Sequence, residues 1–353
     1  MPASATEREA AVRAAFKAQT YWCANFGSPF TSRLCSALGK RIDRSTATGC
    51  RLLDWRGDPD PEVDNLPARL CGAFHFLVRR GEAPALAALY PPAALPSEEE
   101  LWAAASPLLE EQEPVFHDFL HNPPQTNEVG RSAVLMSGLL MLAARFRLPM
   151  HLFELGSSGG LNLALDQYGY DLGGLRTGKP GSALTLTPQW KGSRPPEAGV
   201  EILSRRGVDL SPRDLRRDGE RLLAYVWADQ RERIARLEMA LAIASADSPP
   251  VDRGDAADWL ERVLPGAPAE GAVRVVLHSI AFQYFPAETQ ARIEALIERL
   301  GAESEAAGPL AWLRFEHTLG GETATLRLRI WPNGEDTLLA FAQAHGASVD
   351  WRA

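Results

Sequence analysis

Between Thr6 and Phe26, apolar residues fall at Ala11, Ala15, Ala18 and Trp22, flanked by Val12 and Phe16, with charged residues between them. That spacing predicts a helix. A second helical stretch follows Ser28-Pro29, and Leu66–Val78 is a third. Ser97 stands at capping-box spacing from Glu100 and opens a fourth. Pro91-Pro92 and Pro123-Pro124 punctuate these segments, and Asn127–Phe146 reads as one more amphipathic helix. Period-two alternation is almost absent before residue 149.

From there strands alternate with helices. Ala183–Leu186 and Val200–Leu203 are candidate strands on either side of a Pro/Gly-rich excursion, and Arg221–Ala246 reads as one long helix of mixed charge. Ala272–His278 is apolar with little alternation, the pattern of a strand buried on both faces. Ala287–Leu300 is helical, and Leu310–His317, Thr323–Trp331 and Thr337–Phe341 are closely spaced strands before a short tail. The expected architecture is an all-helical region over residues 1–148 followed by an α/β domain over 149–353, its sheet mostly parallel with an antiparallel C-terminal edge.

The stretch from His151 to Gly169, HLFELGSSGGLNLALDQYG, joins the two regimes. It reads as strand, tight turn and helix. Glycines at such a turn permit positive φ and close approach of a ligand, and the first amides of a following helix would face the crevice. Glu154 ends the strand, so the pattern is E-x-G-x-x-G-G rather than the G-x-G-x-x-G of dinucleotide-binding folds.

With 353 residues and 45% hydrophobic content, the chain can bury a large core. A net charge of −8 argues against broad attraction to nucleic acid or anionic membrane. The N-terminus has no uninterrupted apolar run and no later segment has the length of a membrane span, so a cytoplasmic protein is expected. Cys23, Cys35, Cys50 and Cys71 lack C-x-x-C spacing and are expected as reduced thiols. His117 and His121 stand i, i+4 on a predicted helix, but Asp118 replaces the glutamate of a zinc-protease motif, and no metal is expected.

The second half resembles class I S-adenosylmethionine-dependent methyltransferases, whose first strand is followed by an acidic residue and a glycine-rich turn. Glu154, Gly156, Ser157, Ser158 and Gly160 match that motif, with Ser158 where many members carry glycine. Gly207–Pro212 resembles the end of the second strand, which implies Asp209 on a cofactor ribose, and Gly254-Asp255-Ala256 resembles the segment that meets adenine. VVLHSIAFQYF resembles the fourth strand and its loop. The resemblance implies a Rossmann-like domain binding S-adenosylmethionine, with S-adenosylhomocysteine as product, and His278 and Tyr284 as candidate bases. Across nearly its whole length the chain is also similar to an uncharacterised bacterial family, domain of unknown function twenty-three thirty-two, through TNEVGRSAVL, ELGSSGGLNL, VWADQRERIARL and DRGDAADWL. The long separation of Gly160 from Asp209 implies an insertion near residues 170–196.

Other readings of the same residues stand beside this one. Gly156-Ser157-Ser158-Gly159-Gly160 also satisfies G-x-S-x-G, the nucleophile elbow of serine hydrolases, with Asp255 or Asp258 and His278, or Glu335 and His345, as partners for Ser158. Asp209 reads equally as a turn carboxylate, Asp255 as a helix cap, and His278 as a satisfied core histidine. On the substrate side, helical spacing puts Asn127 and Glu128 each on a face shared with Arg131, and Trp227, Asp229, Gln230, Arg231 and Arg233 do the same on the long helix, where Arg131 or Arg231 could hold an anionic substrate. A scaffold that binds a nucleoside or a protein without turnover would retain the same glycine turn.

Overall fold

The structure, a computed structural model, describes residues 4–318 and 323–353. Two compact units emerge, one from the chain up to Thr126 with Asp218–Ala235, the other from Asn127–Arg217 with Arg236–Ala353. Residues 127–148, placed by the hydrophobic pattern with the helical region, therefore pack in the second unit.

The first unit is built from α1 (Ala5–Asn25), α2 (Pro29–Arg41), α3 (Ala47–Leu53), α4 (Leu66–Arg79), α5 (Pro84–Ala87), α6 (Glu98–Ala105), α7 (Leu108–Glu111), α8 (Glu113–His121) and the later 218–235 segment. Reciprocal caps open α1 at Ser4 and Glu7 and, as the spacing foretold, α6 at Ser97 and Glu100. The buried stripe of α1 is Val12, Ala15, Phe16, Gln19 and Cys23. Of the expected Ala11, Ala15, Ala18 and Trp22 stripe only Ala15 is among these, and the flanking Val12 and Phe16 face the core instead. Phe16, Leu34, Leu38, Leu52, Phe74, Phe116 and Phe119 share that core, each contributing roughly 1.5–3 kcal/mol on burial. The four cysteines are free thiols, and only Cys50 is not buried.

The second unit opens with α9 (Arg131–Phe146), which leads into β1 (Met150–Leu155). After β1 come β2 (Gly169–Leu172), β3 (Leu175–Gly178), β4 (Thr185–Leu186), β5 (Gln189–Lys191) and β6 (Ile202–Asp209). Helices α10 (Leu215–Ala224) and α11 (Arg231–Ala246) precede β7 (Val251–Arg253), α12 (Ala256–Val263), β8 (Val273–Ser279) and α13 (Ala287–Ala302), and the chain ends with β9 (Leu310–His317), β10 (Thr323–Trp331), β11 (Glu335–Gln343) and β12 (Ser348–Trp351). The main sheet runs β5-β12-β11-β10-β9-β8-β1-β6-β7. Strands β7, β6, β1, β8 and β9 pair in parallel, whereas β9 through β12 form an antiparallel meander. Every residue of β1 and β8 is buried, as expected for strands covered on both faces.

Four expectations change. The insertion forms its own sheet, β3-β2-β4, and returns β5 to the edge of the main one. The short tail holds a real strand, β12, paired to β11. The long helix over Arg221–Ala246 is broken between α10 and α11. There Asp229 accepts from Phe30 N at 2.9 Å and from the Ser28 hydroxyl, capping α2 from a distance in sequence. Finally, no α-helix follows the glycine turn, since residues 161–164 form turns that pass into a 3-10 segment at Leu165–Gln167 and then into β2. Leu161, Leu163, Leu165 and Tyr168 are all fully buried there, and Tyr168 Oη donates to Leu161 O. Burial on every side rather than along one stripe leaves the segment no amphipathic helix to form.

Candidate functional site

The chain passes from β1 to β6 and β7 on one side and then to β8 on the other, so strand order reverses between β1 and β8. Their carboxyl ends carry the glycine turn and the loop after β8. Gly156, Ser158 and Gly160 have positive φ, 72°, 54° and 76°. A Cβ on Gly156 would stand 2.6 Å from Ala281 Cβ and 3.6 Å from Phe285, so glycine here is demanded by the neighbouring loop as well as by the backbone angle.

The amides of the turn are used within the protein. Gly156 N and Ser157 N both donate to Val208 O, Gly160 N to Ser157 O, and Leu161 N to Asn127 Oδ1 at 2.9 Å. Ser158 N donates to Asp209 Oδ2 at 2.9 Å, and Asp209 Oδ1 accepts from Ser211 N at 2.8 Å. The expected helix N-terminus facing a ligand is therefore replaced by a turn in which the amides of Gly156, Ser157, Ser158, Gly160 and Leu161 are already bonded, one of them to the carboxylate expected on ribose.

The side chains differ. Glu154 is 1% exposed, and its Oε2 has no partner among the described residues. Burial raises its pKa to about 8, with the Ser157 hydroxyl and the Arg131 charge opposing and the Asp209 charge adding. It is a neutral acid at pH 7. Ser157 is buried with its hydroxyl on Glu154 O, and Ser158 Oγ is buried without a partner among the described residues.

At the end of β8, His278 Nδ1 lies 2.6 Å from Glu316 Oε1, which also accepts from Ala281 N and Phe282 N, each at 3.1 Å. Glu316 is largely buried, which alone would raise its pKa, but the His278 contact and the two amides bring it below the usual value. With Nδ1 as donor, Nε2 of His278 is a lone-pair acceptor, and it is buried without a partner among the described residues. Phe282 stacks on the imidazole, ring centroids 4.8 Å apart. Ile280 follows at φ 49°, a left-handed conformation that a β-branched side chain opposes by about 1–3 kcal/mol. Tyr284 is 69% exposed on the same loop. Glu154 pairs in register with Leu277, so Glu154 and His278 leave opposite faces of the sheet and share only its carboxyl edge.

The remaining expected residues take structural places. Asp255 is the N-cap of α12, Oδ1 accepting from Ala257 N and Asp258 N and Oδ2 from Thr289 Oγ1, and Ala256 is the buried first residue of that helix. Of its two readings the structure carries the cap. Asn127 and Glu128 precede α9 rather than lying on it. Asn127 holds Leu161, Glu128 Oε1 accepts from Gly130 N, and Arg131 donates to Ser279 O and Ala344 O. Asp229 and Gln230 lie in the break before α11, Arg231 is its exposed first residue, and all three belong to the helical unit. In neither hydrolase pairing does the nominated acid hold its histidine. His278 pairs with Glu316, Glu335 lies against Arg145, and His345 is 3.8 Å from Glu128.

Sequence reasoning missed Glu316 and Ile280. Glu316 left a faint trace, a charged residue near the end of an otherwise buried strand. Ile280 left none, because an isoleucine does not announce a positive φ.

Among the described residues, no helix is long and apolar enough to cross a membrane. No curated protein matches the chain. The model of a family described as an uncharacterized protein conserved in bacteria, DUF2332, matches residues 13–351, and the chain belongs to that family.

Proposed function

We propose that the sheet unit binds S-adenosylmethionine or a close adenosyl relative at the carboxyl ends of β1, β6 and β8 and transfers its methyl group to a small molecule. The carrying observation is Glu154, a fully buried neutral acid with an unpartnered oxygen at the end of the strand beside which the order reverses. Ligands of open α/β sheets bind at such switch points, and a buried polar atom without a partner is costly unless a ligand completes it. The parallel order β7-β6-β1-β8-β9 is that of a doubly wound nucleotide-binding sheet.

The residues fit the group in part. Glu154 suits the cationic end of such a ligand, whose arrival would favour the carboxylate and release the proton. Asp209 sits at the end of β6, where a ribose would lie, but it holds Ser158 N and would share or release that bond on binding. Asp255, as a cap, is not assigned to adenine. When bound, S-adenosylmethionine would supply an electrophilic sulfonium methyl, and in-line positioning would carry much of the rate. His278 Nε2 is the candidate acceptor for a substrate proton, with Glu316 orienting the ring.

Calorimetric titration of the full chain with S-adenosylmethionine, S-adenosylhomocysteine and NAD tests the reading. The expected result is saturable binding of the first two, with proton release visible as a buffer-dependent enthalpy, and no binding of NAD. Failure of both adenosyl ligands to bind would overturn it. One observation favours a second reading, a serine hydrolase: Ser158 combines a positive φ with a buried, unpartnered hydroxyl. Fluorophosphonate labelling of the parent that disappears in Ser158→Ala would replace the first reading with this one.

A further inference from the structure

At the amino-terminal ends of the same strands, a polar row crosses the sheet. His151 on β1 pairs in register with Ser204 on β6 and with Arg274 on β8. Register-paired residues of neighbouring parallel strands share a face, with the strands about 5 Å apart. His151 Nδ1 lies 2.7 Å from Ser204 Oγ.

Arg274 is only 6% exposed, yet among the described residues its guanidinium makes no hydrogen bond, ion pair or ring contact. Nε is sealed from solvent without a partner, whereas the two terminal nitrogens are not sealed. Burial is the influence on its pKa, pushing it down, with no carboxylate acting against it. Arg69, also buried, shows what the fold does elsewhere: its guanidinium donates to Asp64 O and Leu120 O at 2.7 and 2.8 Å. A guanidinium cannot shed its charge near neutral pH, so burial without a counter-charge is unfavourable unless an anion arrives from outside. The planar fork with open terminal nitrogens is the shape that takes two oxygens of one oxyanion, and His151, on the neighbouring strand with its Nδ1 held by Ser204 one strand further on, can hydrogen-bond a third.

We propose that Arg274, with His151 beside it and Ser204 holding that imidazole from the next strand, binds a small oxyanion, a phosphate-type or carboxylate group, at the amino ends of β1 and β8. The site lies at the opposite end of the strands from the glycine turn and does not depend on the adenosyl reading.

Thermal unfolding of the full chain in chloride buffers of matched ionic strength, with inorganic phosphate in one series and acetate in another, tests it. The parent should gain stability saturably, by about 2 °C at ten times the dissociation constant and more above it. A response to phosphate or to acetate identifies which oxyanion the site takes. Arg274→Met keeps length but not charge. It should start at or above the parent's melting temperature without added anion and gain nothing from either, while Arg274→Lys should retain a weakened response. Absence of a response in the parent to both anions, or an equal response in Arg274→Met, would overturn the proposal. If the methionine variant does not fold, an undiminished response in Arg274→Lys together with Ser204→Ala would do the same.

Discussion

Replacing Glu154 by glutamine removes one titration and little else, because the amide has the shape of the protonated acid. The folded-state pKa of about 8 stands above the ordinary 4.5. The folded chain therefore holds this proton more tightly than the unfolded chain, and stability falls as pH rises between the two values. The sign follows directly: the contribution is fully present below about pH 4.5, is lost progressively as pH climbs through about 8, and is level above that. A 3.5-unit difference, 8 − 4.5, corresponds to on the order of 5 kcal/mol across the whole window, of which roughly 3 kcal/mol is already lost at pH 7. Urea unfolding of parent and Glu154→Gln at several values between pH 5 and pH 9 isolates the effect, since all other titrating groups cancel in the difference. The variant should match the parent near pH 5 and exceed it increasingly up to about pH 8.5. A parent–variant difference that stays flat with pH would refute the claim that this carboxyl is buried and neutral.

Two further substitutions test the packing on which the site rests. Gly156→Ala should cost about 2–5 kcal/mol, from left-handed strain plus overlap with Ala281, and more than Gly160→Ala, whose Cβ would meet Val251 at 3.1 Å. Equal or negligible losses in urea unfolding would show that the loop after β8 does not close on the turn. Asp229→Ala should lower the stability of the helical unit by about 0.5–2 kcal/mol through loss of the α2 cap, with slower exchange of the Phe30 amide in the parent as the companion readout. Unchanged exchange at Phe30 would remove Asp229 from that role.

The hydrophobic pattern by itself determined most elements of this protein. Strands β9 and β10 occupy the ranges expected from the chain, and α6 opens at the capping box written in Ser97 and Glu100, because these features depend on neighbours in the chain. The texture change near residue 149, the parallel core and the antiparallel edge follow from the order and spacing of those elements. What only the tertiary structure decided are matters of long-range partnership. Whether Asp209 faces a ligand or holds Ser158 depends on an amide 51 residues away, and whether Asp255 meets a ligand or caps α12 depends partly on Thr289. The helix expected after Gly160 gave way because Asn127, Ser132 and Tyr168 bond the 161–162 segment in another conformation. Glu316 became the partner of His278 through the pairing of β8 with β9, and Arg274 became a buried cation with no acid beside it among the described residues. Local propensity reads from a few adjacent residues, whereas the charge and hydrogen-bonding state of a buried side chain is set by whichever distant segments the sheet brings beside it.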